Sequence, residues 1–258
     1  MFQRYWPQDE EGFLINDTSE HLLPEVATTC GKKIFVFLSI SFPDEVISFY
    51  IRGSAAWGNF DPKYSDLDFF VIAKSPGKRW DCPEDLKTFL EKLSLEYGVP
   101  IECNFASLPQ GDFFSSRPYL GSQIKCFSLL LKGKDLSQEI PHMGIGPHLT
   151  PHHRWYQEDL SEFKQGPKTS KDIQAMAKLS LRVGFELVME NEQRFTSCLP
   201  LCAISFLNHF PECREEIKAT LSVFEEPRRF EGVAKDKILS WWNWLEMELK
   251  GRKLDVRS

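Results

Sequence analysis

Asp66 and Asp68 stand one residue apart at the head of the run Leu67-Asp68-Phe69-Phe70-Val71, downstream of a Gly53-Ser54 pair. Residues two apart in a strand project to the same side, so the two aspartates present their carboxylates to one point at the mouth of a sheet. Carboxylates held that close repel each other, and a divalent cation removes the repulsion. Magnesium suits the role, because it takes oxygen ligands, usually one or two carboxylates, and leaves its other positions to water and substrate phosphates. Glu102 interrupts the otherwise apolar Val99-Pro100-Ile101-Glu102-Cys103-Asn104-Phe105, where a charge is costly unless paired or metal-bound. If the two strands are neighbours, Glu102 completes a three-carboxylate site, either as a metal ligand or as the base that takes a proton from an attacking hydroxyl. The turn Arg52-Gly53-Ser54-Ala55-Ala56 has the chemistry for a phosphate. Gly53 allows close backbone approach, Ser54 offers a hydroxyl, and a helix expected from Ser54 aims its N-terminal amides at the anion.

The elements that must position these groups are readable around them. Val46-Ile47-Ser48-Phe49-Tyr50-Ile51 is β-branched and aromatic and stops at a glycine, which predicts a buried strand feeding a tight turn. Leu67 to Ala73 is apolar on both faces after its acid pair, as in a covered sheet. Pro83-Glu84-Asp85 followed by Leu86, Phe89, Leu90 and Leu93 starts a helix that ends near Gly98. A strand from Val99 to Phe105 follows, and residues 125–132 suggest one more. Residues 20–40 read as one or two helices ended by Pro43-Asp44. Pro141, Gly144, Gly146, Pro147 and Pro151 mark a linker. The expected organisation is therefore a catalytic domain over 1–145 and a helical bundle over 150–258, where Ile173, Met176, Ala177, Gly184, Leu187 and Val188 trace one apolar face and Ile238, Trp241, Trp242, Leu245 and Leu249 another.

Composition narrows the function classes. The chain has 258 residues, 42% hydrophobic and 26% charged, with a net charge of −6, which is ordinary globular usage and unlike a general nucleic-acid binder. Lys and Arg against Asp and Glu run 14 to 20 over residues 1–149 and 17 to 17 over 150–258. An acidic half that handles phosphate needs metal ions, or cations from the other half. The seven cysteines are irregularly spaced and the start Met1-Phe2-Gln3-Arg4 leads into acidic residues, which predicts a reduced, cytoplasmic protein. The apolar run Ile34 to Phe42 is too short to span a bilayer, so no membrane partner is expected.

Weaker signals have plain readings. Lys178 and Arg182 lie four apart on one helical face, where an anion between them would relieve their repulsion, unless Arg182 pairs with Glu186 instead. Lys63 sits on a loop between the motifs. His152-His153 has no second cluster at zinc spacing and reads as a linker pair. Cys198 and Cys202 read as buried thiols, and Trp241, Trp242 and Trp244 as core.

The stretch Phe49-Tyr50-Ile51-Arg52-Gly53-Ser54-Ala55-Ala56-Trp57-Gly58, followed by Ser65-Asp66-Leu67-Asp68-Phe69-Phe70-Val71, resembles the signature of the DNA polymerase β-like nucleotidyltransferase superfamily. Within it the likeness is to bacterial antibiotic (aminoglycoside) adenylyltransferases and their uncharacterised relatives. The motif core covers residues 46–73, with a weaker likeness through Glu102. The resemblance implies an α/β (α+β) chain, with an N-terminal mixed sheet flanked by helices and a C-terminal helical bundle. It implies that Gly53 and Ser54 hold the triphosphate, that Asp66 and Asp68 bind two magnesium ions, and that Glu102 is the third acid. Ala177-Lys178-Leu179-Ser180-Leu181-Arg182 resembles the basic helix with which such enzymes reach the nucleotide phosphates. The implied enzyme is a nucleotidyltransferase, EC 2.7.7 type, that moves AMP or another NMP from a nucleoside triphosphate to a hydroxyl of a small-molecule acceptor and releases pyrophosphate. Two alternatives stay open: the same chemistry aimed at a protein or a tRNA end, as in toxin systems of this fold, and a nucleotide-binding module without catalysis.

Overall fold

Strand-forming residues fill both faces of two adjacent segments, and these become the centre of a four-stranded sheet: β1 (Val46–Arg52) and β2 (Leu67–Ala73). The structure, a computed structural model, describes residues 4–74, 84–108, 117–150, 152–166, 169–230 and 234–251. Strands β3 (Ile101–Ser107) and β4 (Ser128–Gly133) complete the order β3-β2-β1-β4. β1 is antiparallel to β2 and β4, whereas β2 and β3 run parallel, so the sheet is mixed. Pro100 has no N–H to give a ladder, and β3 begins just after it, at Ile101.

Helices cover the sheet. Phe49, Ile51, Leu67, Phe69 and Val71 share one core with Ala27, Ile34 and Leu38 of α1 (Glu25–Ser41) and with Leu86, Leu90 and Leu93 of α2 (Glu84–Tyr97). The alternate residues Tyr50, Phe70 and Ile72 pack with Ile124, Leu136 and Ile140. Full burial of each large apolar side chain here is worth roughly 1.5–3 kcal/mol, so a sheet buried on both faces holds its register firmly. Ile124 lies on α3 (Pro118–Cys126). That helix takes Lys125 and Cys126, so the strand expected over 125–132 starts later, at Ser128.

By contact density the described chain forms two compact units: residues 7–144, which carry the sheet, and residues 4–6 with 145–251. In the second, α4 (His152–Gln165), α5 (Ser170–Glu186), the single turn α6 (Met189–Glu192), α7 (Leu199–His209), α8 (Arg214–Glu225) and α9 (Ala234–Gly251) follow one another. α5 is central and packs against α4, α7, α8 and α9. A capping box starts it, with Thr169 accepting from the Asp172 amide and Asp172 accepting from the Thr169 amide. Trp241 and Trp242 of α9 are fully buried, and Trp244 stacks 5.3 Å from Trp241, so all three serve the core. Among the described residues no helix is long and apolar enough to cross a membrane.

Candidate active site

Four residues stand in one register row at an end of the sheet. Glu102 of β3 lies opposite Asp68 of β2, Asp68 opposite Arg52 of β1, and Arg52 opposite Ser128 of β4. Opposed residues project to the same side of a sheet, so two acids and a cation share one face, the face of Tyr50 and Phe70. The mixed topology makes this possible: β1 ends at the row while β2 and β3 begin there.

Beyond Arg52 the chain bends through a 3-10 turn, Gly53–Ala55. Gly53 has φ +74°, and a Cβ added there would stand 3.1 Å from Asp68 Oδ2. Glycine is thus needed twice, for the left-handed backbone and for the space beside the carboxylate. The helix expected from Ser54 does not form. The Ala56 amide donates to Gly53 O (3.1 Å) and the Asn59 amide to Ser54 O (2.8 Å), and the chain turns away through Gly58 at φ +76°. A phosphate at this turn would therefore rely on the Gly53 backbone and the Ser54 hydroxyl rather than on the amides of a long helix. The preceding segment braces the turn, with the Ser19 amide on Ala56 O (3.3 Å) and Asn16 Nδ2 on Ser128 O (2.9 Å).

Asp66 immediately precedes β2 and is half-buried. An Asp-Pro turn delivers it. Asp61 Oδ1 accepts from the Lys63 amide (2.9 Å), Asp61 O from the Ser65 amide (2.7 Å), and the Ser65 hydroxyl from the Asp61 amide (3.1 Å). Such side-chain closure is what Asp contributes to turns, and it makes Lys63 part of a hydrogen-bonded turn. Glu102 is exposed and Asp68 half-buried. The start of β3 is pinned by Ser94 on α2, whose hydroxyl donates to Leu90 O (2.9 Å) and accepts from the Ile101 amide (3.1 Å).

Among the described residues no three His, Cys, Asp or Glu side chains are gathered closely enough to enclose a metal ion on their own. The donor set nevertheless has the chemistry for magnesium, whose usual site has one or two carboxylates and takes the rest from phosphate and water. Asp68 and Glu102, side by side next to the Gly53 turn, offer that combination.

Arg52 is a part of the row that its sequence position alone did not reveal. Its Nη1 donates to Gln123 Oε1 at 3.4 Å and its guanidinium lies 6.0 Å from the centroid of the Phe70 ring. Its Nε is buried without a hydrogen-bond partner, and among the described residues it makes no ion pair.

Lys178 and Arg182 lie one turn apart on α5, both half-buried. Arg182 Nε is buried without a partner, and the alternative pairing with Glu186 is not made. Glu186 is taken instead by the residues read from sequence as a linker pair. Its Oε1 accepts from His152 N (3.3 Å) and lies 2.5 Å from His152 Nδ1, and its Oε2 accepts from His153 N (3.0 Å) and lies 2.8 Å from His153 Nδ1. His152 and His153 open α4, and the carboxylate caps that helix. Burial alone would raise the Glu186 pKa, but hydrogen bonds from both histidines and their charges bring it down to about 2. The clamp walls a cavity of about 230 Å3, yet both carboxylate oxygens facing this region are already committed.

No protein-family model matches the chain, and no curated protein is similar to it in sequence. In three dimensions it is similar to the spectinomycin adenyltransferase AAD(9) from Enterococcus faecialis, solved with ATP and spectinomycin. The two match at TM-score 0.50 and 15% identity over 85% of this chain and 98% of that one. At that identity the likeness is one of fold alone, a mixed sheet with flanking helices.

Proposed function

We propose that the protein transfers a nucleoside monophosphate, AMP from ATP, to a hydroxyl of a small-molecule acceptor and releases pyrophosphate. The observation that carries this reading is the register row, in which Asp68 stands beside Glu102 and leaves room for the backbone at position 53 only because that residue is glycine. A structural salt-bridge network would not set two acids side by side next to a turn that only glycine can make. The similar fold of an enzyme solved with ATP and spectinomycin supports a nucleotide and a polar small molecule as the two substrates.

Magnesium held by Asp66, Asp68 and Glu102 would neutralise the triphosphate and the departing pyrophosphate and make the acceptor hydroxyl more acidic. The Gly53 backbone and Ser54 hydroxyl bind the phosphates. The acceptor oxygen forms a bond to the α-phosphorus as the bond from that phosphorus to the bridging oxygen breaks. The hydroxyl proton passes to the exposed carboxylate of Glu102. The acidic balance of residues 1–149 suits a cationic acceptor, and the buried free thiols of Cys30, Cys126, Cys198, Cys202 and Cys213 suit a reducing, cytoplasmic setting.

The test is incubation with each labelled nucleoside triphosphate, magnesium and a panel of acceptors that includes amino sugars, tRNA and protein, scored for pyrophosphate release. Release with a small polyol or amino sugar, abolished in the double variant Asp66→Ala, Asp68→Ala, is the expected result. Release only with tRNA or protein would change the acceptor class, and wild type matching the double variant on every panel would remove the enzyme.

A further inference from the structure

We propose that Arg52 is a phosphate-binding residue of this site, its guanidinium completing its hydrogen bonds on the triphosphate; the inference rests on the nucleotidyl-transfer reading above. A guanidinium carries five N–H donors and no acceptor. Here the Nε is buried with no partner, and the one side-chain bond among the described residues, from Nη1 to Gln123, is long at 3.4 Å. Leaving a buried donor unsatisfied is costly, and more so for a charged group. Yet a carboxylate stands in register next to it on the neighbouring strand, at Asp68, and no ion pair forms among the described residues. The Phe70 ring beneath the guanidinium, 6.0 Å away, fixes the side chain on the face of the row without consuming a donor.

The chemistry of the missing partner follows from its neighbours. It must be rich in acceptor oxygens and negatively charged to satisfy a planar cation, which is why arginine is favoured for phosphates. It must also reach the Gly53 turn, the next residue along the chain. A polyphosphate meets both requirements at once, because its oxygens can lie across the turn on one side and the guanidinium on the other. Ser128, the last member of the row, has its hydroxyl committed to Gln123 O at 2.7 Å and its carbonyl to Asn16 and Thr18, so Arg52 is the member of the row that still has donors to give.

The test uses the full chain and measures binding rather than turnover. Wild type, Arg52→Met and Arg52→Lys are titrated by calorimetry with a non-hydrolysable ATP analogue, inorganic tripolyphosphate and adenosine, with magnesium present, and each is melted with and without ligand. The Arg52→Met variant is expected to lose roughly 10- to 100-fold in affinity for both the analogue and tripolyphosphate, the range of a lost charge-assisted hydrogen bond. Adenosine affinity should not change, and Arg52→Lys should recover part of the loss. Without ligand Arg52→Met should melt no lower than wild type, because an unsatisfied buried donor has been replaced by an apolar chain. A melting temperature lowered by Arg52→Met with phosphate affinity unchanged would make Arg52 a structural prop and overturn the proposal. Wild type that binds neither nucleotide nor tripolyphosphate would instead remove the reading on which the proposal rests.

Discussion

Two polar clusters in this molecule are built on opposite rules. In the helical unit, Glu186 is 5% exposed at its side chain, and each of its oxygens meets one backbone amide and one imidazole. It is a carboxylate whose bonding capacity is used inside the protein. At the sheet end, Asp68 and Glu102 sit side by side and Arg52 keeps a buried Nε unpartnered in the same row. Folding alone satisfies the first cluster, whereas in the second the Arg52 Nε stays buried without a hydrogen bond. A buried charge is therefore a poor guide to function unless its partners are counted: the lowered pKa of Glu186 belongs to a structural clamp.

The contrast can be broken at several points. The largest expected effect is on stability, from Glu186→Ala, which leaves two histidines and two amides of the α4 start without their acceptor. Removing one side of a buried pair costs roughly 3–5 kcal/mol, and an unfolding free energy from urea titration within about 1 kcal/mol of wild type would show that the clamp is incidental. Next is Asp68→Asn, expected to lower pyrophosphate release by about 10²–10³-fold, the range for removing one electrostatic group from a preorganised site. Activity that survives while stability falls would reverse the assignment of the two clusters.

A third measurement separates them by pH. A carboxyl whose pKa falls from 4.5 unfolded to about 2 folded favours the folded state above the unfolded value. That stability drains away as pH falls through the window between the two, a loss of about 3 kcal/mol on complete protonation. Chemical denaturation from pH 5 to pH 2 should show this slope in wild type and a flatter one in Glu186→Gln. Smallest in stability is Gly53→Ala, at roughly 1–2 kcal/mol for a left-handed backbone. Because its Cβ would press on Asp68 Oδ2, its activity loss should exceed that of Gly98→Ala, where φ is also positive at +67° but an added Cβ meets nothing within 4 Å. Equal losses at the two glycines would mean that the close approach to Asp68 has no chemical consequence.

The mixed α/β fold was legible because its central strands carry a local signature: Val46 to Ile51 and Leu67 to Ala73 are apolar on both faces, which few other environments explain. The neighbourhood of Asp68 and Gly53 was legible for the same reason, since period-2 alternation and a terminal glycine are local facts. What was missed is non-local or short. His152 and His153 looked like linker residues because the carboxylate that organises them lies 34 and 33 positions away. α3 is one short helix opened by Pro118, too brief for a 3.6-residue period to stand out, and its presence moved the start of β4. The helix expected from Ser54 was lost to Gly58 and the Asn59 bond to Ser54 O, which close the turn first. Arg52 lies within the motif, yet nothing local in the sequence singles it out, because its unpartnered Nε is visible only once the neighbours are in place.

By accepting from the Ile101 amide, Ser94 sets the phase of β3, and strand side chains alternate with a period of two. A single-residue deletion between Ser94 and Ile101 would thus carry Glu102 through the sheet into the greasy layer beneath α2 and bring an apolar neighbour out to take its seat beside Asp68. Chain length in that short connection is in this sense a chemical parameter, as much a determinant of which group stands beside Asp68 as the identity of residue 102 itself.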